Sequence, residues 1–244
     1  MFDLANAMKK NYNSAIRDNP VFMIDMFLKV LDEDDNIIAR IPVSVISKGS
    51  FTLATRDEDN NVYLLIDEDD SCGEMTKSFL AFLNRQDGEQ PYVPVVEEIG
   101  WYKKPRTENK YLRVYKSPLY KSPFRKSDSP EGWEMYKVLK KVIDESKEYT
   151  YNKNRSIWGV DSRYRTISAL EALDEEPPKG VDEDTWKAFI ETVTHMIRES
   201  MNWGTEWIME ISPRNLATDG NGQLILLDIF FDGRALENQR SNRC

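Results

Sequence analysis

The stretch that most constrains this chain is Glu210–Phe230, in which two short apolar runs flank a turn rich in Gly and Asn. Residues 216–218 and 223–227 read as strands. Asp219-Gly-Asn-Gly222 between them supplies residues that accept the positive φ of a tight hairpin connection. A hairpin folds back on itself, so Asn215 ahead of the first strand and Asp228 after the second come side by side, although thirteen positions apart. An amide oxygen beside a carboxylate suits Mg²⁺, a hard ion that takes oxygen ligands and completes its shell with substrate phosphates. Glu210, five positions before Asn215, places another carboxylate at the entry to the loop.

Upstream, the chain alternates between two periodicities. Asn19-Pro20 supplies a helix start, and Phe22, Met23, Met26, Phe27 and Val30 follow at helical spacing, which predicts a helix packed on the core. From Ile37 the pattern becomes β-branched, and residues 37–46, 52–56 and 62–66 read as three strands of an antiparallel meander. Residues 73–83 form an amphipathic helix, and residues 91–96 and 111–115 read as two further strands. The stretch 116–129 is a Lys-, Ser- and Pro-rich loop carrying Tyr120 and Phe124. Ser129-Pro130 then opens a helix reaching about Lys147. Arg155, Arg163 and Arg165 are candidates for a substrate or partner patch on an exposed loop. Residues 182–201 are the clearest helix, with Trp186, Phe189, Ile190, Val193, Met196 and Ile197 on one face and Asp182 and Glu183 at the N-terminus.

Composition narrows the function classes. A chain of 244 residues, 40% hydrophobic, can bury a real core as one large domain or two lobes. The formal net charge of −9 makes nucleic acid an unlikely partner and leaves basic protein surfaces as the natural one. Only Cys72 and Cys244 are present, far apart, which fits a reducing compartment without a disulfide framework. With His195 the single histidine and no C-x-x-C pair, a zinc site is not expected. No long apolar run or leader pattern is seen, so no membrane association and a cytoplasmic location are expected.

The region 210–230 resembles the catalytic and magnesium loops of the protein-kinase-like fold, whose pattern is H-R-D-x-x-x-x-N, a hairpin, then D-F-G. Glu210 falls on the catalytic Asp, Asn215 on the metal-binding Asn, and Asp228-Ile229-Phe230 on D-F-G, with Pro213 also matching. Ile208 and Met209 replace the His and Arg. The turn Ser47-Lys-Gly-Ser-Phe51 resembles the family's Gly-rich loop, with Gly49 and Phe51 retained and Ser47 and Thr52 in place of glycines. The resemblance implies an α+β, two-lobed fold, with an antiparallel-sheet N-lobe over 1–115 and a mostly helical, truncated C-lobe over 116–244. It implies ATP and Mg²⁺ as cofactors, Lys48, Gly49, Ser50, Phe51 and Glu74 on the nucleotide side, Asn215 and Asp228 on the metal, and Glu210 as base.

The strand lysine that pairs with the phosphates is replaced by Leu64 or Leu65, and Lys48 or Arg56 would have to supply the cation. No activation segment or A-P-E motif follows Asp228, which makes the chain most similar to the early host-shutoff kinases of lytic bacteriophages. Two classes follow. One is a pseudokinase that binds and modulates a host protein in the host-cell cytoplasm. The other is an active Ser/Thr protein phosphotransferase. An acidic inhibitor imitating DNA is a third, weaker option.

Overall fold

The computed structural model describes residues 26–48, 52–67, 74–86, 90–103, 111–150, 155–157, 160–203 and 207–232. The fold is α+β, and its chain divides into two compact units. One is Met1–Gly73 with Val95–Leu119, the other Glu74–Pro94 with Tyr120–Cys244.

The first unit is a closed antiparallel barrel. Its strands are β1 (Met26–Leu31), β2 (Ile37–Lys48), β3 (Thr52–Arg56), β4 (Asn61–Asp67), β5 (Glu97–Lys103) and β6 (Tyr111–Pro118), in the order β1-β2-β3-β4-β6-β5. Alternate side chains point inward, as the two-residue period of a strand requires. Leu28, Val30, Val43, Leu53, Tyr63, Leu65, Tyr102 and Val114 meet there as the core. The barrel closes where Leu31 of β1 pairs with Trp101 of β5. Gly100 makes that approach possible. Its φ is +134°, and a Cβ there would lie 2.3 Å from the Leu31 carbonyl oxygen.

Two sequence expectations are corrected in this unit. The helix expected across Phe22–Val30 is, over Met26–Leu31, a strand; the rest of that segment lies outside the described residues. Its helical stripe passed over Leu28, which is only 2% exposed, whereas Phe27 on the stripe is 54% exposed. The true period is two, and β1 turns the expected open meander into a barrel. The strand expected at 91–96 lies instead at Glu97–Lys103. Tyr92 sits at φ 64°, and a segment holding Pro91 and Pro94 lacks the N–H groups a ladder needs.

The second unit holds four helices among the described residues: α1 (Glu74–Gln86), α2 (Pro130–Ser146), α3 (Val160–Glu171) and α4 (Glu183–Ser200). Ser129 caps α2, accepting from the Gly132 amide, with Pro130 in the first turn. Asp182 caps α4 by accepting from the Thr185 amide. The six apolar residues expected on one face of α4 are all buried. Short two-stranded pairs complete the unit: β7 (Glu148–Thr150) with β8 (Arg155–Ile157), β9 (Trp207–Met209) with β12 (Phe230–Asp232), and β10 (Leu216–Thr218) with β11 (Leu224–Leu226). The loop ahead of α2 is packed by its aromatics, Phe124 stacking on Trp133 with centroids 5.8 Å apart. No helix among the described residues is long and apolar enough to cross a membrane.

The arginine patch is also corrected. Arg163 and Arg165 lie on α3, not on a loop, and Arg163 is 1% exposed. Loss of hydration lowers its guanidinium to about 10. Arg165 donates to the Ser146 carbonyl and the Ser162 hydroxyl. Helical spacing thus buries Arg163 inside the second unit, whereas Arg165 stays exposed.

Candidate functional site

The site is built from two nested pairs of strands. β10 and β11 form the hairpin expected from the sequence, with Leu216 opposite Leu226 and Thr218 opposite Leu224. Its turn is locked by Asp219, whose Oδ1 accepts from the amides of Asn221 and Gln223, while Gly222 takes φ +83°. Outside the hairpin, β9 and β12 pair with Met209 opposite Phe230. The segments joining the two pairs, residues 210–215 and 227–229, are therefore forced alongside each other. That is where the three candidate residues lie.

Backbone hydrogen bonds fix the juxtaposition. The Asn215 carbonyl accepts from the Leu227 amide at 3.0 Å and the Asp228 amide at 3.2 Å, and the Glu210 amide donates to the Ile229 carbonyl at 2.9 Å. The Asn215 side-chain Nδ2 donates to the Glu210 carbonyl at 3.3 Å. That bond consumes the nitrogen end of the amide, so the uncommitted end is Oδ1, an acceptor. Pro213–Asn215 is a single 3-10 turn, closed by the Asn215 amide on the Ser212 carbonyl.

Asp228 is held in place by its neighbours rather than by its own side chain. Ile229 and Phe230 are buried. Phe230 meets Phe79 of α1 edge-on at 5.4 Å and Trp203 at 5.3 Å. Phe82 extends the aromatic cluster, touching Trp203 at 5.6 Å and His195 at 5.5 Å. Asp228 itself is exposed. Loss of hydration, with a smaller contribution from the Glu210 charge, pushes its carboxyl up to about 6.

Glu210 has a partner that the sequence reading missed. Arg214 Nη2 lies 2.6 Å from Glu210 Oε1. The i,i+4 spacing of the two was visible in the sequence; that a bent loop would bring them together was not. Lys140 of α2 is held above its ordinary value mainly by its bond to Asp144 at 2.5 Å, and the Glu210 charge is its smallest contribution. The pair Glu210–Arg214 and the pair Asp144–Lys140 thus bring charge near Asp228 and Glu210 as matched ions.

The nucleotide-side candidates are placed less completely. Lys48 ends β2 opposite Leu53, and Glu74 is the first residue of α1. Gly49, Ser50 and Phe51 lie outside the described residues. Leu65 points into the barrel core, whereas Leu64 faces outward between Ala54 and Tyr115. Arg56 lies on that same outer face, between Ser44 and Val62 in the register.

Among the described residues, no group of three or more His, Cys, Asp or Glu could hold a metal. The candidate set is one carboxylate and one amide oxygen. A pair of that kind suits Mg²⁺, which keeps waters and shares its shell with phosphates, better than an ion needing a full protein cage. No donor bonds the Asp228 side chain among the described residues, so its oxygens are uncommitted.

No family model matches the chain, and no curated protein matches it. Among solved structures it is similar to the GDP and kanamycin complex of APH(2")-IIia, at 13% identity over 78% of this chain and 70% of that one, with a TM-score of 0.33. A GDP complex of a mutant aminoglycoside 2'-phosphotransferase also matches at 13% identity, covering 78% and 69%, with a TM-score of 0.34. An aminoglycoside phosphotransferase from Alicyclobacillus acidocaldarius matches at 11% identity, covering 82% and 67%, with a TM-score of 0.29. At such scores the superpositions are partial, and the site stands on its own residues.

Proposed function

We propose that the chain is a kinase-like phosphotransferase that binds ATP through Mg²⁺ held by Asn215 Oδ1 and the Asp228 carboxylate, with Glu210 as the base. The observation that carries this reading is the set of hydrogen bonds that ties Asn215 to both Asp228 and Glu210 and ties Glu210 to the residue after Asp228. The Asn215 carbonyl accepts from the Asp228 amide, the Asn215 side chain donates to the Glu210 carbonyl, and the Glu210 amide donates to Ile229. Bound Mg²⁺ would neutralise phosphate charge and leave positioning as the main task of the protein.

Arg214 engages Glu210 Oε1, which leaves Oε2 to accept the proton of an acceptor hydroxyl as that oxygen bonds to the γ-phosphorus and the bond to the β-phosphate oxygen breaks. Glu is one methylene longer than Asp, and a misplacement of about 1 Å costs roughly 100-fold in rate, so slow turnover is expected.

A second reading has its own support. Leu65 is in the barrel core and Leu64 is apolar, so no lysine on β4 pairs with the phosphates. A pseudokinase that binds and modulates a host protein needs neither that lysine nor a base.

Thermal unfolding with ATP separates the readings. ATP with Mg²⁺ at about 100 times Kd should raise the melting temperature by roughly 5–10 °C, and ATP with EDTA should not. Asp228→Ala should abolish the shift. Glu210→Ala should keep it and abolish ³²P transfer to a protein acceptor. A shift without transfer by the intact protein leaves the pseudokinase. No shift at all removes nucleotide binding from both readings.

A further inference from the structure

The hydroxyl of Ser212 is out of keeping with others in its unit. Its Oγ is buried and has no hydrogen-bond partner among the described residues. Buried hydroxyls elsewhere in the second unit are committed. Ser146 donates to the Val142 carbonyl, Thr166 to that of Ser162 and Thr192 to that of Ala188, and the Ser129 oxygen accepts from the Gly132 amide. A buried polar atom without a partner costs free energy, and few are kept in folded proteins. This one lies between Glu210 and Asn215, inside the loop that carries the candidate site.

Local structure restricts what that hydroxyl is for. Ser212 stands at the head of the 3-10 turn Pro213–Asn215, yet its side chain makes no cap bond. Its carbonyl closes the turn by accepting from the Asn215 amide at 2.9 Å. In a turn of that pitch, residues three apart fall on nearly the same side, which brings Ser212 and Asn215 into one column. Ser212 is also partly exposed although its Oγ is buried. Rotation about χ1 therefore relocates the hydroxyl while the backbone stays in place.

We propose that Ser212 is a further metal-side residue, its Oγ joining Asn215 Oδ1 and the Asp228 carboxylate as an oxygen ligand when Mg²⁺ arrives with the nucleotide. This inference rests on the reading of the loop as a Mg²⁺–ATP site. Like the Ser212 hydroxyl, Asn215 Oδ1 and the Asp228 oxygens take no donor among the described residues. A serine hydroxyl is a hard oxygen of the kind Mg²⁺ accepts. The polar atom that the free fold leaves without a partner gains one in the loaded state. A carboxylate, an amide oxygen and a hydroxyl bring a single negative charge between them. Half of the ion's charge is then left for the phosphates, which matters where β4 offers no lysine.

Ser212→Ala tests the proposal in both states. In the free protein it removes an oxygen that bonds to nothing, so the melting temperature should rise by about 2–4 °C. With ATP present, the Mg²⁺ concentration that gives half of the thermal protection should rise at least about tenfold. A hydroxyl that served only the fold would not move these two readings in opposite senses. Ser212→Cys puts sulfur where the oxygen was. Its protection by ATP should be poor with Mg²⁺ and regained with Cd²⁺, a softer ion that thiolates favour. The intact protein, which carries Cys72 and Cys244, is the control for Cd²⁺ bound elsewhere, and its ratio of Cd²⁺ to Mg²⁺ protection should be the lower one.

The proposal is overturned if free Ser212→Ala melts below the intact protein, because the hydroxyl then serves the fold, directly or through a buried water. It is overturned if the Mg²⁺ requirement of that variant is unchanged. A raised requirement that Cd²⁺ does not relieve in Ser212→Cys also overturns it, since the hydroxyl then acts on the loop and not on the ion. Each of these outcomes leaves the nucleotide reading standing, because ATP with Mg²⁺ still protects the intact protein. Absence of protection in the intact protein removes that reading and the proposal together.

Discussion

At the scale of single residues, the telling observation is that Asp228 is ionised at a cost. Its carboxyl stands at about 6 because of lost hydration and the nearby Glu210 charge. A folded value raised above the ordinary 3.8 gives a stability contribution fully present below about 3.8 and lost as the pH rises through about 6. Asp228→Asn, which imitates the protonated form, should therefore come close to the parent near pH 4 and melt higher at neutral pH, with the gap opening between about pH 4 and 6 and staying constant above. Equal melting curves across that range would contradict the reading. The same sign governs the proposed metal, since proton and Mg²⁺ compete for the carboxylate. Protection by ATP with Mg²⁺ should fade as the pH drops below about 6, and Asp228→Asn should show little protection at any pH. A residue that weakens the free protein in order to present a charge is behaving as functional residues do.

At the scale of elements, the site depends on side chains that never touch it. Phe230 closes the β9–β12 pair and is wedged between Phe79 and Trp203. Phe230→Ala should cost about 3–5 kcal/mol, by lost burial and the cavity left behind. ATP protection should weaken with it, because Asp228 is two residues away and has no side-chain anchor of its own. In the barrel the corresponding element is the seam. Gly100→Ala puts a Cβ against the Leu31 carbonyl oxygen, a backbone atom that cannot swing aside, in a φ region unfavourable for alanine. It should destabilise the barrel, and hydrogen exchange of the β1 and β5 amides should rise first. Ser129→Ala, removing the α2 cap, should cost only about 1 kcal/mol.

At the scale of the whole molecule, the barrel and the helical unit each have a core, and the barrel is assembled from two separate stretches of chain. Two transitions are expected in urea. Gly100→Ala should move one midpoint and Phe230→Ala the other; if both variants shift a single shared transition, the units do not unfold separately. What the sequence determined by itself was local. Hairpin turn chemistry in Asp219–Gly222, the caps at Ser129 and Asp182, and the stripe of α4 depend on neighbours within a few positions, and each appears where it was expected. The register that sets Asn215 beside Asp228 follows from the same hairpin. Tertiary structure decided the rest. Met26–Leu31 fits a helical stripe or a strand equally well until a ladder with Ile37–Val43 and a barrel to fill select the two-residue period. Arg163 reads as a solvated arginine until α3 packs and buries it. Arg214 meets Glu210 only because a 3-10 turn bends the loop between them. Short-range chemistry is written residue by residue, whereas which of two faces is buried depends on a partner surface that a linear pattern does not contain.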